Sequence, residues 1–374
     1  MRVVMFYHSL VSDWNHGNAH FLRGVVAEML GRGIDVTVYE PENAWSVENL
    51  LKDKGERALA DFYSAYPDLD SVRYDPGSID LDTALAGADL VIVHEWNDPQ
   101  LIDLIGRHRS KNREYTLLFH DTHHRAVTAP DELAALDLTA YDGVLAFGKI
   151  IEQVYLDKGW ARRSWTWHEA ADTSVFYPRE RNVTKPVYDL IWIGNWGDEE
   201  RTAELREFLI DPIRRLGLKA KIYGVRYPVQ AQKLLASAGI EYGGWLPNYE
   251  VPEAFAQARL TVHVPRGPYT RQLPGIPTIR PFEALACGIP LVSAPWSDTD
   301  HLFKQGKDML FAQDGDEMTE KIARVLGDRT LRESLVKCGL DTIRSRHTCS
   351  HRVDELLGIY SDVNKSRRKK VMIA

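Results

Sequence analysis

Arg280 and Glu283 stand three residues apart in a short stretch whose other residues predict a helix. Thr278 suits the N-cap, and Gly288 suits a left-handed residue at the C-terminal end, which leaves about two turns between them. The first turn presents N–H groups and partial positive charge that suit a phosphate, while Glu283 can accept hydrogen bonds from sugar hydroxyls. A nucleotide sugar offers both groups. An ordinary helix in which Arg280 merely pairs with Glu283 explains the same pattern equally well.

Further candidate residues for binding a nucleotide sugar lie outside this helix. Gly194, Asn195 and Trp196 follow a predicted strand, where a glycine-bounded loop lets the backbone approach a diphosphate. A tight turn between strand and helix is the alternative. Guanidinium groups suit bidentate phosphate contacts that offset the charge of a leaving group. The remaining candidates are Thr278 and Ile279 at the helix start, and Arg226, Arg266, Arg271 and Arg280.

His120 and Asp121 end a predicted strand in the first half of the chain. A histidine at this place can position an acceptor hydroxyl or a sugar, and Asp121 can fix the tautomer of its imidazole. His123 and His124 follow closely. Their spacing lacks the i, i+4 repeat of a helical zinc site, so we expect no metal.

The loop after the first predicted strand contains Asn15, His16, Gly17 and Asn18. It lacks the three-glycine spacing of a dinucleotide-binding turn, which argues against a nicotinamide oxidoreductase. We assign this loop to the acceptor side. Residues 298–300 read Asp-Thr-Asp, a spacing typical of some metal sites, but they follow the wrong strand and are expected to lie on the surface.

The composition is that of a globular chain with two domains of ordinary size, since it has 374 residues. A net charge of −7 argues against a nucleic-acid-binding surface that covers the molecule. The three cysteines lack metal-binding spacing and indicate reduced thiols. Without a signal peptide or a long apolar segment, we expect a cytoplasmic protein. The basic run at residues 365–370 predicts a solvated tail, or weak contact with an anionic membrane surface.

Strand-like and helix-like segments alternate along the chain. Apolar runs predict strands at 3–7, 35–39, 90–93, 115–119, 144–147 and 164–167, and again at 188–193, 220–223, 260–264 and 290–294. Residues 178–186, a charged stretch bounded by prolines, predict a linker. The pattern indicates an α/β chain with two doubly wound, Rossmann-like domains that face a central cleft. Ligands of such sheets bind beyond the carboxyl ends of the strands.

Several segments resemble the GT-B glycosyltransferases, in particular glycosyltransferase family 4 and its CgeB-type (spore maturation) branch. Residues 280–292, Arg-Pro-Phe-Glu-Ala-Leu-Ala-Cys-Gly-Ile-Pro-Leu-Val, are similar to the donor-site signature of the family. Residues 171–178, Ala-Asp-Thr-Ser-Val-Phe-Tyr-Pro, are similar to the segment that closes its N-terminal domain. Residues 16–20, 119–121, 194–197 and 352–356 also resemble CgeB-type sequences. The resemblance covers nearly the whole chain.

The resemblance implies a hexosyltransferase-type enzyme that transfers a sugar from a nucleoside-diphosphate sugar to an acceptor hydroxyl, with no metal or other cofactor. It implies that Glu283 binds the ribose of the nucleotide. One position departs from the family, because Gly275 stands where family 4 commonly has a first glutamate. A nucleotide-sugar epimerase and a catalytically weak nucleotide-sugar-binding protein are the alternatives, and the acceptor and stereochemical outcome stay open.

The predicted linker sets the expected domain bounds, and the resemblance adds the packing of the last helix. Residues 1–177 form an acceptor-side domain and residues 178–350 a donor-binding domain. A helix at 351–363 is expected to pack back on the first domain, and 364–374 to form a basic tail. The expected partners are the nucleotide sugar and an acceptor, without nucleic acid.

Overall fold

The computed structural model describes residues 1–112, 114–179, 186–197 and 201–373. The chain forms two compact units. Unit 1 consists of Met1–Glu169 together with Cys349–Ala374, and unit 2 consists of Ala170–Thr348. The first division falls before the linker predicted at residues 178–186, whose residues 180–185 lie outside the described ranges.

Unit 1 is built on a seven-stranded parallel sheet with the strand order β3-β2-β1-β4-β5-β6-β7. Its central strands are apolar along their length because both faces of a parallel sheet are covered by helices. The strands are β1 Arg2–Phe6, β2 Asp35–Pro41, β3 Val72–Tyr74, β4 Leu90–His94, β5 Thr116–Asp121, β6 Gly143–Ala146 and β7 Ser164–Thr166. The helices are α1 Ala19–Gly31, α2 Trp45–Lys54, α3 Arg57–Ala65, α4 Leu81–Ala84, α5 Pro99–Lys111, α6 Arg125–Thr128, α7 Pro130–Ala134 and α8 Lys149–Asp157.

Unit 2 has a six-stranded parallel sheet with the order β10-β9-β8-β11-β12-β13. The strands are β8 Tyr188–Ile193, β9 Ala220–Tyr223, β10 Glu241–Tyr242, β11 Ala258–His263, β12 Leu291–Ser293 and β13 Leu310–Phe311. The helices are α9 Thr202–Leu205, α10 Asp211–Leu216, α11 Val229–Ser237, α12 Val251–Ala256, α13 Gly267–Arg271, α14 Ile279–Ala286, α15 Gly315–Gly327 and α16 Arg329–Arg346. A π-helical turn at Arg206–Ile210 joins α9 to α10.

The last helix, α17 at Cys349–Ile373, belongs to unit 1. The indole N–H of Trp167 donates to the carbonyl of Arg352 at 2.8 Å, and Arg32 pairs with Asp354 at 2.5 Å. The helix is longer than the 351–363 expected and continues through the basic run, where Arg367 pairs with Asp142. None of the helices in the described ranges has the length and apolar character needed to span a membrane.

Each sheet reverses its strand order once. In unit 1 the reversal lies between β1 and β4, and in unit 2 it lies between β8 and β11. Connections from neighbouring strands leave in opposite directions at such a point, which opens a crevice at the carboxyl edge of the sheet. The loops that follow these four strands are therefore the places to look for a site.

The predicted α/β fold class, with two doubly wound sheets, is confirmed. The predictions missed β3, β10 and β13, each of which lies at an edge of its sheet. These strands have two or three residues, so hydrophobic periodicity has too few positions to act on.

Gly224 marks a close approach between the loops that follow β8 and β9. Its φ is 148°, and a Cβ atom there would lie 2.0 Å from the carbonyl oxygen of Gly194. We expect Gly224→Ala to lower the free energy of unfolding by at least about 2 kcal/mol more than Gly217→Ala, because overpacking adds to backbone strain. Gly217 is the matched control, since its φ is 62° and no atom lies within 4 Å of its Cβ position. Urea unfolding measures both losses, and equal losses would contradict the close approach.

Candidate functional site

The N-terminus of α14 lies at the carboxyl edge of the unit 2 sheet. The chain leaves β11 at this edge, and α14 carries it back to the start of the parallel strand β12. The helix has the two turns predicted and ends as predicted, because Gly288 adopts a φ of 65° and its N–H bonds to the carbonyl of Leu285. Ile279, its first residue, is buried.

Glu283 is completely buried, and both of its carboxylate oxygens have protein partners. Oε1 accepts a hydrogen bond from Asn248 Nδ2 at 2.8 Å, and Oε2 pairs with Nη1 of Arg280. Arg280 leaves 29% of its side chain exposed. The ion pair proposed from the sequence is therefore present, and within it only the Arg280 side chain is partly exposed.

Thr278 occupies the N-cap position of α14 in a strained conformation. Its φ is 62°, which is rare for a β-branched residue and costs about 1–3 kcal/mol. Its side chain makes no capping hydrogen bond, so the predicted capping contact is wrong. Backbone strain of this kind concentrates where a ligand is bound.

Gly275 has a backbone conformation that would strain a glutamate, and side chains crowd its Cβ position. Its φ is 90°, and a Cβ atom there would lie 2.6 Å from Oδ1 of Asp300 and 2.8 Å from Oγ1 of Thr299. Its N–H donates to the carbonyl of Ser297 at 2.6 Å. The departure from the family signature is therefore part of how this loop folds.

The Asp298-Thr-Asp sequence serves its own loop. Asp298 accepts hydrogen bonds from the backbone N–H groups of Leu302 and Phe303 at 2.9 and 2.8 Å, and burial raises its pKa. Within the described part of the chain, no group of three or more His, Cys, Asp or Glu side chains is arranged to hold a metal ion.

Gly194, Asn195 and Trp196 form the loop after β8, at the reversal point of the unit 2 sheet. The carbonyl of Gly194 accepts a hydrogen bond from the Tyr227 hydroxyl at 2.8 Å. Asn195 Oδ1 accepts one from the N–H of Val225 at 2.9 Å. Trp196 is buried, and its indole N–H donates to Thr202. The loop is thus fixed before any ligand arrives, as a site with backbone contacts requires. The helix predicted to begin near Asp198 starts at Thr202, and residues 198–200 lie outside the described ranges.

Arg201 ties the two strands of this reversal point together. One guanidinium nitrogen donates to the carbonyl of Val264, beyond β11, at 2.8 Å, and the other donates to the carbonyl of Asn195, beyond β8. The residue is 9% exposed and lies 5.2 Å from the ring of Trp192. Arg201 therefore holds the loops that follow β8 and β11, and we expect other arginines to contact phosphate.

The other candidate arginines lie around the same edge. Arg266 is half-buried just before α13, and Arg271 is exposed at the end of that helix, with Nε 3.3 Å from the carbonyl of Gly267. Arg226 is exposed and adopts a φ of 62° directly after Val225. The structure brings Arg226 next to the Asn195 loop and Arg266 next to the segment that Arg201 holds.

In unit 1, the loop after β1 is held by two buried charged side chains. Glu40 at the end of β2 accepts a hydrogen bond from the N–H of Leu10 at 2.6 Å. Arg23 on α1 donates to the carbonyl of Leu10 and pairs with Asp13, both at 2.8 Å. Burial of such charges is tolerated because each is paired or hydrogen-bonded.

The predicted acceptor-side residues follow in the same loop. His16 is 8% exposed, and burial lowers its pKa well below the usual range. Among the described residues its Nε2 has no hydrogen-bond partner. Asn18 Nδ2 donates to Glu169 at 3.1 Å. Asn15 adopts a φ of 50°. Gly17 is exposed, so its backbone is accessible beside the buried imidazole of His16.

His120 is completely buried among aromatic rings. Its Nδ1 lies 2.5 Å from the hydroxyl of Tyr7, and the ring of Trp167 lies 4.8 Å away. Burial lowers the pKa of His120 to about 3, so the imidazole is neutral at pH 7. In the described part of the chain Nε2 has no hydrogen-bond partner. The strand end that was expected to present His120 therefore keeps it inside the unit.

Asp121 does not contact His120. Its carboxylate accepts hydrogen bonds from the Tyr155 hydroxyl at 2.9 Å and from the N–H of His123 at 3.0 Å. The expectation that Asp121 fixes the His120 tautomer is wrong, because the side chains of consecutive residues on a strand point to opposite faces. Burial raises the pKa of Asp121 to about 6.

Three residues of these sites were not predicted from the sequence. Each of them bonds to a partner that is distant in sequence. Asn248 lies 35 residues from Glu283, and Tyr7 lies 113 residues from His120. Arg201 lies 63 residues from Val264, whose carbonyl it binds. No motif marks them. Arg201 directly precedes α9, but its burial is decided by folding and is not visible in the sequence.

Two doubly wound parallel sheets, each with fixed loops at its carboxyl edge, define the GT-B class of folds. Residues 201–358, less than half of the chain, match a family described as glycosyl transferase-like. No curated protein sequence matches the chain.

Solved structures show the same fold. Sucrose-phosphate synthase from Thermosynechococcus elongatus is 13% identical over 98% of this chain and 100% of its own, with a TM-score of 0.67. A glycosyltransferase from Rickettsia africae is 11% identical over 97% and 98%, with a TM-score of 0.66. HepE from Anabaena, in complex with UDP, is 12% identical over 97% and 100%, with a TM-score of 0.66. The chain therefore has the GT-B glycosyltransferase fold.

The low pKa of His120 makes the stability of unit 1 depend on pH. Between pH 6.5 and about 3 the unfolded chain binds a proton that the folded chain does not, so stability falls as pH falls through this window. From pH 7 to pH 5 this histidine should cost about 2 kcal/mol of unfolding free energy. His120→Gln should remove that part of the pH dependence, whereas exposed His301→Gln should not. Urea unfolding at both pH values measures it, and parallel losses in all three proteins would contradict the buried neutral state.

Proposed function

We propose that this protein is a glycosyltransferase that moves a sugar from a nucleoside-diphosphate sugar to an acceptor hydroxyl without a divalent metal. The observation that carries the proposal is the Arg280–Glu283 pair at the start of α14, at the carboxyl edge where α/β sheets bind nucleotides. HepE structures with UDP, and with UDP and glucose, support a uridine diphosphate sugar as the donor.

The nucleotide would exchange partners with the ion pair. Glu283 Oε2 is occupied by Arg280, and no part of Glu283 is exposed. A ribose hydroxyl is a neutral donor that can replace the guanidinium at Oε2 while Asn248 keeps Oε1. Arg280, released and partly exposed, then turns to the diphosphate, where its fork geometry suits two oxygens.

The departing diphosphate would be stabilised by fixed groups of unit 2. The loop Gly194, Asn195 and Trp196 offers a rigid backbone, and the first turn of α14 offers N–H groups beside Thr278 and Ile279. Positive charge comes from Arg226, Arg266, Arg271 and Arg280. Preorganised donors and cations can offset the leaving-group charge that a magnesium ion offsets in other enzymes.

In unit 1 we assign the loop with Asn15, His16, Gly17 and Asn18 to the acceptor. His120 remains a proposed contributor, but its low pKa restricts the role. A neutral imidazole can orient a hydroxyl through Nε2, whereas it carries no charge to stabilise a developing anion. Asp121 then acts through Tyr155 and the backbone of His123, as a positioning residue.

The finer assignments belong to the same proposal. They are family 4, its CgeB-type branch, a hexosyl donor and a cytoplasmic location. The location is supported by three cysteines that form no disulfide bond. An epimerase would interconvert the donor sugar without an acceptor, and a weak binding protein would bind nucleotide without turnover. Incubation with the UDP-sugar alone, followed by sugar analysis, separates these cases.

Glu283→Gln tests the nucleotide site. It keeps the shape and the Asn248 contact but replaces the charged acceptor of the ribose hydroxyl by a neutral amide, so UDP affinity should fall by about 1.5–3 kcal/mol. Glu320→Gln, an exposed change on α15 of the same unit, is the control and should leave affinity unchanged. Calorimetric titration with UDP measures both, alongside melting curves that report folding. Equal UDP affinity in the two variants would refute the assignment.

Metal independence is tested with excess chelator in an assay of UDP release from a UDP-sugar. Turnover should remain within about twofold of the untreated value, because arginines and helix N–H groups supply the positive charge. Turnover that is lost with chelator and restored by magnesium or manganese would reject this mechanism.

A further inference from the structure

A cavity lies at the edge of the unit 2 sheet opposite the Gly194 loop. Pro186 precedes β8, Arg259 is the second residue of β11 and Pro290 directly precedes β12, and all three line it. The cavity therefore opens at the amino ends of these strands. The Gly194 loop lies at the carboxyl ends, roughly 20 Å away along the six residues of β11. Glu283 lies on α14, five residues before Gly288, and its buried carboxylate does not line the cavity. It is a separate place from the proposed donor site.

The size and charge of the cavity suit a small anion. Its volume of about 770 Å³ is within the range of ligand pockets. Five cations line it, namely Arg259, Arg329, Arg332, Lys337 and Arg344, against the two carboxylates of Glu333 and Asp341. The lining carries a net charge of +3, five minus two, in a chain whose net charge is −7.

Two of the five cations are neutralised within the cavity wall. Arg329 pairs with Glu333 at 2.6 Å, and Lys337 pairs with Asp341 at 2.7 Å. These pairs are exposed and use both lining carboxylates. Arg259 pairs with Asp189, outside the cavity lining, at 3.2 Å. Among the described residues, Arg332 and Arg344 have no carboxylate within 4 Å of their guanidinium groups.

Arg332 has free donors of the right geometry. Its Nη1 alone donates to the carbonyls of Val325 and Leu326 at the end of α15, both at 2.7 Å. In the described part of the chain, Nε and Nη2 make no hydrogen bond, and these two nitrogens form the fork that binds an oxyanion in bidentate fashion. Arg259 donates to the same Leu326 carbonyl, and burial together with the charge of Arg259 lowers the pKa of Arg332.

Capping of α15 explains the carbonyl contacts of Arg259 and Arg332. Helix capping does not explain why Arg344 lines the same cavity from α16. Within the described residues, the Arg344 side chain makes no hydrogen bond or ion pair. Like charges gathered around one cavity repel each other unless an anion joins them.

We infer that this cavity binds a soluble multivalent phosphate, held by Arg332 and Arg344 with Arg259 beside them. The inference does not depend on the proposed transfer reaction, because it uses none of the donor-site residues. A concave cavity of this volume fits a compact oligophosphate better than the flat surface of a membrane.

Calorimetric titration of the full chain with inorganic tripolyphosphate at low ionic strength tests the inference. One site is expected, with the same affinity whether or not UDP is present, and with weaker binding as salt is added. Arg344→Gln and Arg332→Gln should each weaken binding at least tenfold. Arg215→Gln is the matched control, since Arg215 pairs with Asp316 on the surface of the same unit.

Arg344 is exposed, and its side chain makes no hydrogen bond or ion pair within 4 Å in the described ranges. Arg344→Gln should therefore fold, and it keeps the test decisive if Arg332→Gln unfolds. No binding, binding that Arg344→Gln leaves unchanged, or binding that UDP displaces would each overturn the inference. Binding only to phosphatidylglycerol vesicles, and not to tripolyphosphate, would also overturn it.

Discussion

Glu283 keeps a carboxylate entirely out of water, and such a group is tolerated only where hydrogen bonds and an opposite charge replace its hydration. Asn248 and Arg280 supply them. Because removing either partner leaves a buried group unsatisfied, the start of α14, the short helical turn that carries Asn248 and the Arg280 side chain are fixed together. The three side chains therefore fix the conformation of this part of the carboxyl edge of the unit 2 sheet.

Unit 1 uses the same physical device at its own carboxyl edge. Buried Glu40 and Arg23 hold the loop after β1 through backbone N–H groups and carbonyls, so the loop is shaped by charge pairs within the unit. In unit 2, Arg201 does this between the ends of β8 and β11. Buried charges at sheet edges are costly for stability, and their value here is that they specify one conformation of each loop.

The sequence was sufficient to predict the two parallel sheets, since ten strands have apolar runs long enough to recognise. It also located α14, because Gly288 and Pro290 mark the end of that helix locally. Short edge strands such as β13 were not predicted, since their formation depends on pairing with the neighbouring strand. Asn248 as a partner of Glu283 and Tyr7 as a partner of His120 were not predicted for a related reason, because only folding brings them together. The strained φ of Thr278 and the crowding at Gly275 likewise arise from contacts distant in sequence or from loop closure.

We propose that Glu283 exchanges Arg280 for the ribose of a nucleotide, and a crystal structure of the protein with UDP would show whether this exchange occurs. We expect a ribose hydroxyl at about 2.7 Å from the Glu283 carboxylate, Asn248 still bound to Oε1, and Arg280 turned to the diphosphate. UDP bound elsewhere, or UDP bound with the Arg280–Glu283 pair intact and no ribose contact, would contradict it.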